Sequence, residues 1–216
     1  MPANPPANPP ANSPANPPAN PPANPPANPR AGLHPITVAS RRAGPERQRA
    51  RHPDATVLDL TSRGPEPWVR FSPFWPHGGI PVPLSDGRTG ASVEGIWQAL
   101  KVFETAGVDE SKLGVTTMRG LKRTARRLGA VRGHRAGLGG DRLLPYLEAR
   151  TAIYLPAYLW VLEHRLGDEV AELRRLAAAA PVVLLDYETS TDVGDPARPL
   201  SHAGLVAADA TGTWPG

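Results

Sequence analysis

The chain has 216 residues and a formal charge of +4, from 24 Lys and Arg against 20 Asp and Glu, and it contains no cysteine. The last point excludes disulfides, zinc–thiolate sites and thiol nucleophiles, and it fits a reducing compartment. The chain does not open with a basic segment leading into an apolar run, and nowhere do about eighteen apolar residues follow one another. A soluble, cytoplasmic protein without membrane spans is therefore expected.

Residues 1–30 repeat the tetrapeptide PANP with one slip at Ser13. Such a segment has no apolar area to offset its ordering entropy, so disorder with polyproline II character is predicted. So regular a repeat also resembles translated tandem DNA, which puts the assigned translation start in question. The folded part is expected to form a single domain over residues 36–212.

A short strand is predicted at 36–42, followed by a basic loop at 43–53. Residues 56–62, TVLDLTS, read as a buried strand, with Asp59 as a turn or cap residue near its end. Phe71, Phe74, Trp75 and His77 then fall in a loop stiffened by Pro73, Pro76, Pro81 and Pro83. That loop runs into a helix N-capped by Ser92. Val93, Ile96, Trp97, Leu100 and Phe103 form its apolar face, and Gly107 is its stop.

A second stripe on this helix carries Glu94, Gln98, Lys101 and Thr105. On its pattern alone it reads first as a solvated face, with Glu94 complementing the helix dipole, and otherwise as the polar side of a site. The aromatic loop beside it favours a site, because exposed aromatic loops tend to carry function.

Further along, 112–142 holds nine cations, among them Lys122, Arg123, Arg132 and Arg135, against the single acid Asp141, so an anionic partner is expected there. A basic helix is predicted at 117–128. The stretch AVRGHRAGLGGD, with His134 inside it, reads as a flexible glycine-rich loop. It lacks the Lys-Ser or Lys-Thr of a P-loop and has at most the makings of a weak phosphate cradle.

The longest helical run, 143–166, should kink or break at Pro156. Its aromatic residues are read as core, with Arg150 as the exception that could face a ligand. Gly167 should end the run, and Asp168 should cap a helix over 169–180. Residues 182–187, VVLLDY, read as a buried strand that opens into Asp186, Glu188, Asp192 and Asp195. This is an acidic cluster at a strand end, where catalytic or cation-binding carboxylates occur and solvated loops look alike. Ser201 can cap a last helix, and His202 can serve as a ligand, as an acid or base, or as a packed imidazole.

A serine triad is unsupported, because Ser201 adjoins His202 and no nucleophile elbow is present. A histidine metal site is unsupported by six scattered histidines, and neither metal nor cofactor is expected. An aromatic loop, a basic segment and a carboxylate together suit a phosphorylated nucleoside-like ligand. Cleavage of its N-glycosidic bond would pass through an oxocarbenium-like transition state that a carboxylate can stabilise. The alternatives are a non-catalytic nucleotide or nucleic-acid binding protein using the basic segment, and a phage-related adaptor.

The segments FSPFWP at 71–76 and SVEGIWQALKVF at 92–103 resemble the NADAR superfamily, with its FSNFxP segment and its helix beginning SEHYFQAQKF. The resemblance implies a NADAR-like, helix-rich α+β domain and an N-glycosidase acting on ADP-ribose-related or riboflavin-pathway substrates. Glu94 would be the essential carboxylate, with Gln98 and Lys101 matching the family's glutamine and lysine. Arg132–Arg135 would correspond to its GR segment and Asp192 or Asp195 to its late aspartate. Gly95 stands where that family has histidine. The chain is also similar to an uncharacterised bacterial and phage family sharing SPFWPHGGIPVP and PLSHA. On this reading Glu94, Asp192 and Asp195 are catalytic. Phe71, Phe74, Trp75, His77, Gln98, Lys101, Lys122, Arg123, Arg132, His134, Arg135, Arg150 and His202 hold the substrate.

Overall fold

The computed structural model describes Met1 and residues 32–215, so the expected disorder of 1–30 lies outside the described residues apart from Met1. The architecture is α+β. Strands β1 (Ile36–Ser40), β2 (Thr56–Asp59) and β8 (Val182–Asp186) form a parallel sheet in the order β1-β8-β2. All five residues of β8 are buried, as the unbroken VVLL run of a central parallel strand requires. β2 is shorter than the TVLDLTS reading. Asp59 closes it, paired with Arg41 at 2.8 Å and accepting from the Thr61 hydroxyl, which bears out an end-of-strand role.

A small hairpin, β3 (Ile80–Pro81) with β4 (Thr89–Gly90), leads to α2 (Val93–Leu100). Ser92 caps α2 by accepting from the Gly95 N–H at 3.0 Å. The helix stops at Leu100, not near Gly107. Lys101–Phe103 turns into strand β5, which pairs with β6 (Val131–Arg135), itself paired with β7 (Leu143–Leu144). Val102 and Phe103 suit a strand, but the change of state is set by a partner some thirty residues away. The segment around His134, expected to be a flexible loop, is therefore a paired strand. Gly133 has φ +146°, and a Cβ there would meet the Leu144 carbonyl at 2.5 Å.

Other helices are α1 (Pro45–Arg51), which takes up part of the predicted basic loop, and α3 (Ala125–Leu128), α4 (Tyr146–Ala149), α5 (Leu155–Arg165), α6 (Gly167–Ala179) and α7 (His202–Thr211). The predicted basic helix over 117–128 shrinks to α3; ahead of it the Gly120 carbonyl accepts from Lys112 Nζ and the Arg123 N–H donates to Gln98 Oε1. The break at Pro156 takes the form of a π-helical segment at Arg150–Tyr154. Pro lacks an N–H and its ring clashes with the carbonyl four residues back, and the widened turn just upstream relieves both. Asp168 lies inside the first turn of α6 rather than capping it, and Gly167 begins that helix. One apolar cluster joins α2, α5, α6, α7 and the parallel sheet.

Candidate active site

The carboxyl ends of β2 and β8, the aromatic loop, the first turns of α2 and α7, and the α4–π segment converge on a cavity of about 230 Å³. Parallel strands leave such a crevice at their carboxyl edge. Thr61 and Ser62 follow β2, Asp186 and Glu188 close β8, and Tyr146, Arg150 and Tyr154 recur every four residues along one wall.

Glu94 lies in this cavity and is only 8% exposed, so a solvated stripe is excluded. Its backbone N–H donates to the Pro73 carbonyl at 2.8 Å, which fastens the helix start to the aromatic loop. One carboxyl oxygen, Oε1, accepts from Gln98 Nε2 at 2.9 Å, and Gln98 Oε1 accepts the Arg123 N–H at 2.9 Å. The second contact fixes the amide orientation, because a backbone N–H can only donate. Glu94 thus has one oxygen held and the other unengaged among the described residues. Burial raises its pKa above the ordinary carboxylate range, against the opposing pull of Gln98, Lys101 and Lys122.

Across the cavity, Asp186 Oδ2 accepts from the Ser201 hydroxyl at 2.7 Å and lies 2.9 Å from His202 Nδ1, while His202 Nε2 sits 3.0 Å from the Leu60 carbonyl. Burial works against ionisation of Asp186, yet the charge and hydrogen bonds of His202, with Ser201 and Ala203, hold it down at about 2. Burial likewise works against the imidazolium, and Asp186 with the Leu60 carbonyl raises its pKa nonetheless. With both nitrogens engaged, His202 has no lone pair for a substrate proton. It ties the ends of β2 and β8 to α7 and sets its ring in the cavity wall.

Of the other residues expected at the site, Phe74, Lys122 and Arg150 also line this cavity, and Lys122 Nζ lies 5.4 Å from the Phe74 ring centroid. Arg150 is 2% exposed, and its guanidinium donates to the carbonyls of Asp192, Val193, Asp195 and Arg198. It therefore clamps a loop while forming part of the wall. Asp192 and Asp195 lie on that loop, outside the cavity lining, with their carboxylates accepting from the N–H groups of Gly194 and Ala197.

Phe71 is core, and its carbonyl accepts from Tyr158. Trp75 is half-buried away from the cavity. His77 bonds the Arg70 carbonyl at 2.9 Å, and burial lowers it to about 4. Arg123 spends its guanidinium on the carbonyls of Gln98, Lys101 and Gly107. Arg135 binds the Asp141 carbonyl, and Arg132 pairs with Glu104. Lys101, Arg132 and His134 line a different recess.

The structure adds Trp97, Tyr146 and Tyr154, read from sequence as core, to the cavity wall, and makes Asp186 its best-held carboxylate. The spacing of 146, 150 and 154 was a usable signal for that wall. Among the described residues, no group of three or more His, Asp or Glu is placed to hold a metal ion, and no helix is long and apolar enough to cross a membrane.

These features define an α+β protein with a buried carboxyl group in an aromatic-walled cavity at the carboxyl edge of a parallel sheet. Residues 40–206 match the family of unknown function DUF6939, and the chain belongs to that family. No curated protein and no solved structure matches it.

Proposed function

We propose that the protein is a NADAR-like hydrolase that cleaves the N-glycosidic bond of a nucleoside-like substrate, with Glu94 as its acid and base. The observation that carries this reading is the Glu94 carboxyl itself: buried, with a raised pKa, held at one oxygen by Gln98 and set among aromatic rings. A perturbed carboxyl group in a cleft is the usual mark of acid–base chemistry. Protonated Glu94 donates to the departing base nitrogen as the C–N bond breaks. Water then adds to the anomeric carbon, and the Glu94 carboxylate takes its proton, so the acid is restored.

Phe74 and Trp97 supply stacking faces for the base, and Lys122 supplies positive charge for an anionic substituent. Ligand pockets commonly span about 300–1,000 Å³. A cavity of about 230 Å³ encloses one nucleoside-sized group and leaves the rest of an ADP-ribose outside. Gly95 bears on the family histidine it replaces. A Cβ there would meet the Lys112 carbonyl at 2.7 Å, so this chain has no room for that side chain and leaves proton transfer to Glu94. The absence of cysteine accords with a cytoplasmic location.

The test is base release, followed by chromatography, from nucleosides, nucleotides, NAD, ADP-ribosylated guanosine and a pyrimidine intermediate of riboflavin synthesis. Release by the wild type that disappears in Glu94→Gln supports the hydrolase. No release from any of them, together with salt-sensitive nucleic-acid binding that Glu94→Gln leaves intact, would replace it with a binding protein.

A further inference from the structure

Behind the Trp97 wall lies a second recess of about 320 Å³, lined by Lys101, Val131, Arg132, Gly133, His134 and Tyr146. Tyr146 borders both cavities. His134 is 1% exposed and lies against Trp97 with ring centroids 3.6 Å apart and planes tilted by 32°, and neither of its ring nitrogens has a hydrogen-bond partner among the described residues. Buried polar atoms are nearly always paired, so an imidazole with both nitrogens unmet at a cavity wall marks a place where a ligand completes the structure. Lys101 and Arg132 give the recess its positive charge. The acids near them are Glu104, paired with Arg132, and Glu94, which acts on Lys101 from the main cavity.

We infer that this recess is a binding site for a phosphomonoester of a sugar, distinct from the main cavity and separated from it by Trp97 and Tyr146. The phosphate oxygens accept from Lys101 and Arg132. The His134 ring, kept neutral by burial and by the charge of Lys101, has one N–H to give and one lone pair to receive. A sugar phosphate offers both an acceptor oxygen and a hydroxyl donor, whereas a bare carboxylate offers only acceptors. The recess is also larger than one phosphate group needs. Both His134 nitrogens are covered in this structure, so the ligand reaches them with a local shift of the recess lining.

The inference does not depend on the glycosidase reading, and calorimetric titration of the full chain tests it. Inorganic phosphate, ribose and ribose 5-phosphate are the probes, with Lys101→Met, Arg132→Gln, His134→Phe and Glu94→Gln as variants. Ribose 5-phosphate should bind more tightly than phosphate, and ribose should not bind detectably. Lys101→Met and Arg132→Gln should each weaken ribose 5-phosphate at least tenfold, and His134→Phe should narrow its advantage over phosphate. Arg132 is exposed, so its variant keeps the fold even if Lys101→Met does not. No phosphate binding by the wild type, or unchanged affinity in Arg132→Gln, overturns the site. So does an equal loss in Glu94→Gln, which would put the phosphate in the main cavity.

Discussion

Replacing Glu94 by glutamine keeps the side-chain volume and the contact with Gln98 while removing the ionisable group. Loss of a positioned acid–base group costs about 10²–10⁴-fold in rate, so under the proposed hydrolase function base release should fall by that much with little change in KM. In the wild type, activity should decline on the alkaline side as the raised Glu94 pKa is crossed, which a pH profile of kcat/KM reads directly. Stability falls in the same direction. A carboxyl group with a raised folded pKa retains its proton in the native state, so the native state loses ground as pH rises above the ordinary value of 4.5. Glu94→Gln should therefore melt at a higher temperature than the wild type at pH 7 and at nearly the same temperature at pH 4, as calorimetry would show.

The Asp186–His202 pair behaves differently. The raised imidazole contributes fully below its ordinary 6.5 and is lost as pH rises through the folded value. The depressed carboxylate contributes above its ordinary 3.8 and is lost as pH falls through about 2. The melting-temperature deficit of His202→Gln should therefore be greatest between about pH 4 and 6.5 and shrink on either side. Glu94 was legible in the sequence as a first-turn acid beneath a capped helix. The commitment of His202 was not, because its partners come from β2 and β8, far from it in the chain.

The start of α2 depends on a close approach that a side chain would block. A Cβ on Gly95 would sit 2.7 Å from the Lys112 carbonyl and 2.9 Å from Ser92 Oγ, the capping atom. Gly95→Ala should destabilise the protein by about 1–3 kcal/mol despite the better helix propensity of alanine, as denaturant titration would reveal. Arg150 is the equivalent lock on the opposite wall. Arg150→Met would strand several loop carbonyls and cost at least ~2 kcal/mol, with the 192–198 loop becoming the first site of proteolysis.

Helix signals with local causes were readable: the Ser92 and Ser201 caps and the apolar face of α2. Signals with distant causes were not. Lys101–Phe103 continues the helical pattern but obeys its pairing with β6, and the glycines around His134 disguised a strand. The density of cations at 112–142 read as a field for anions, yet Arg123 and Arg135 are spent on backbone carbonyls, a use that only loop geometry decides.

The parallel sheet unites the two ends of the described chain, since β8 lies between β1 and β2 although it follows them by more than a hundred residues. The VVLL run announced a buried strand, but nothing in its sequence told which strands it would separate. A chain cut after Pro181 loses the central strand and should show no cooperative unfolding transition by circular dichroism. Asp186, at the end of that strand, is also the anchor for Ser201 and His202. During synthesis, then, the polypeptide up to Pro181 emerges from the ribosome with its sheet unclosed and its cavity missing a wall. A nascent chain stalled before β8 clears the exit tunnel should be open to protease throughout. Protection from protease should arrive only once β8 and α7 have emerged and the sheet has closed.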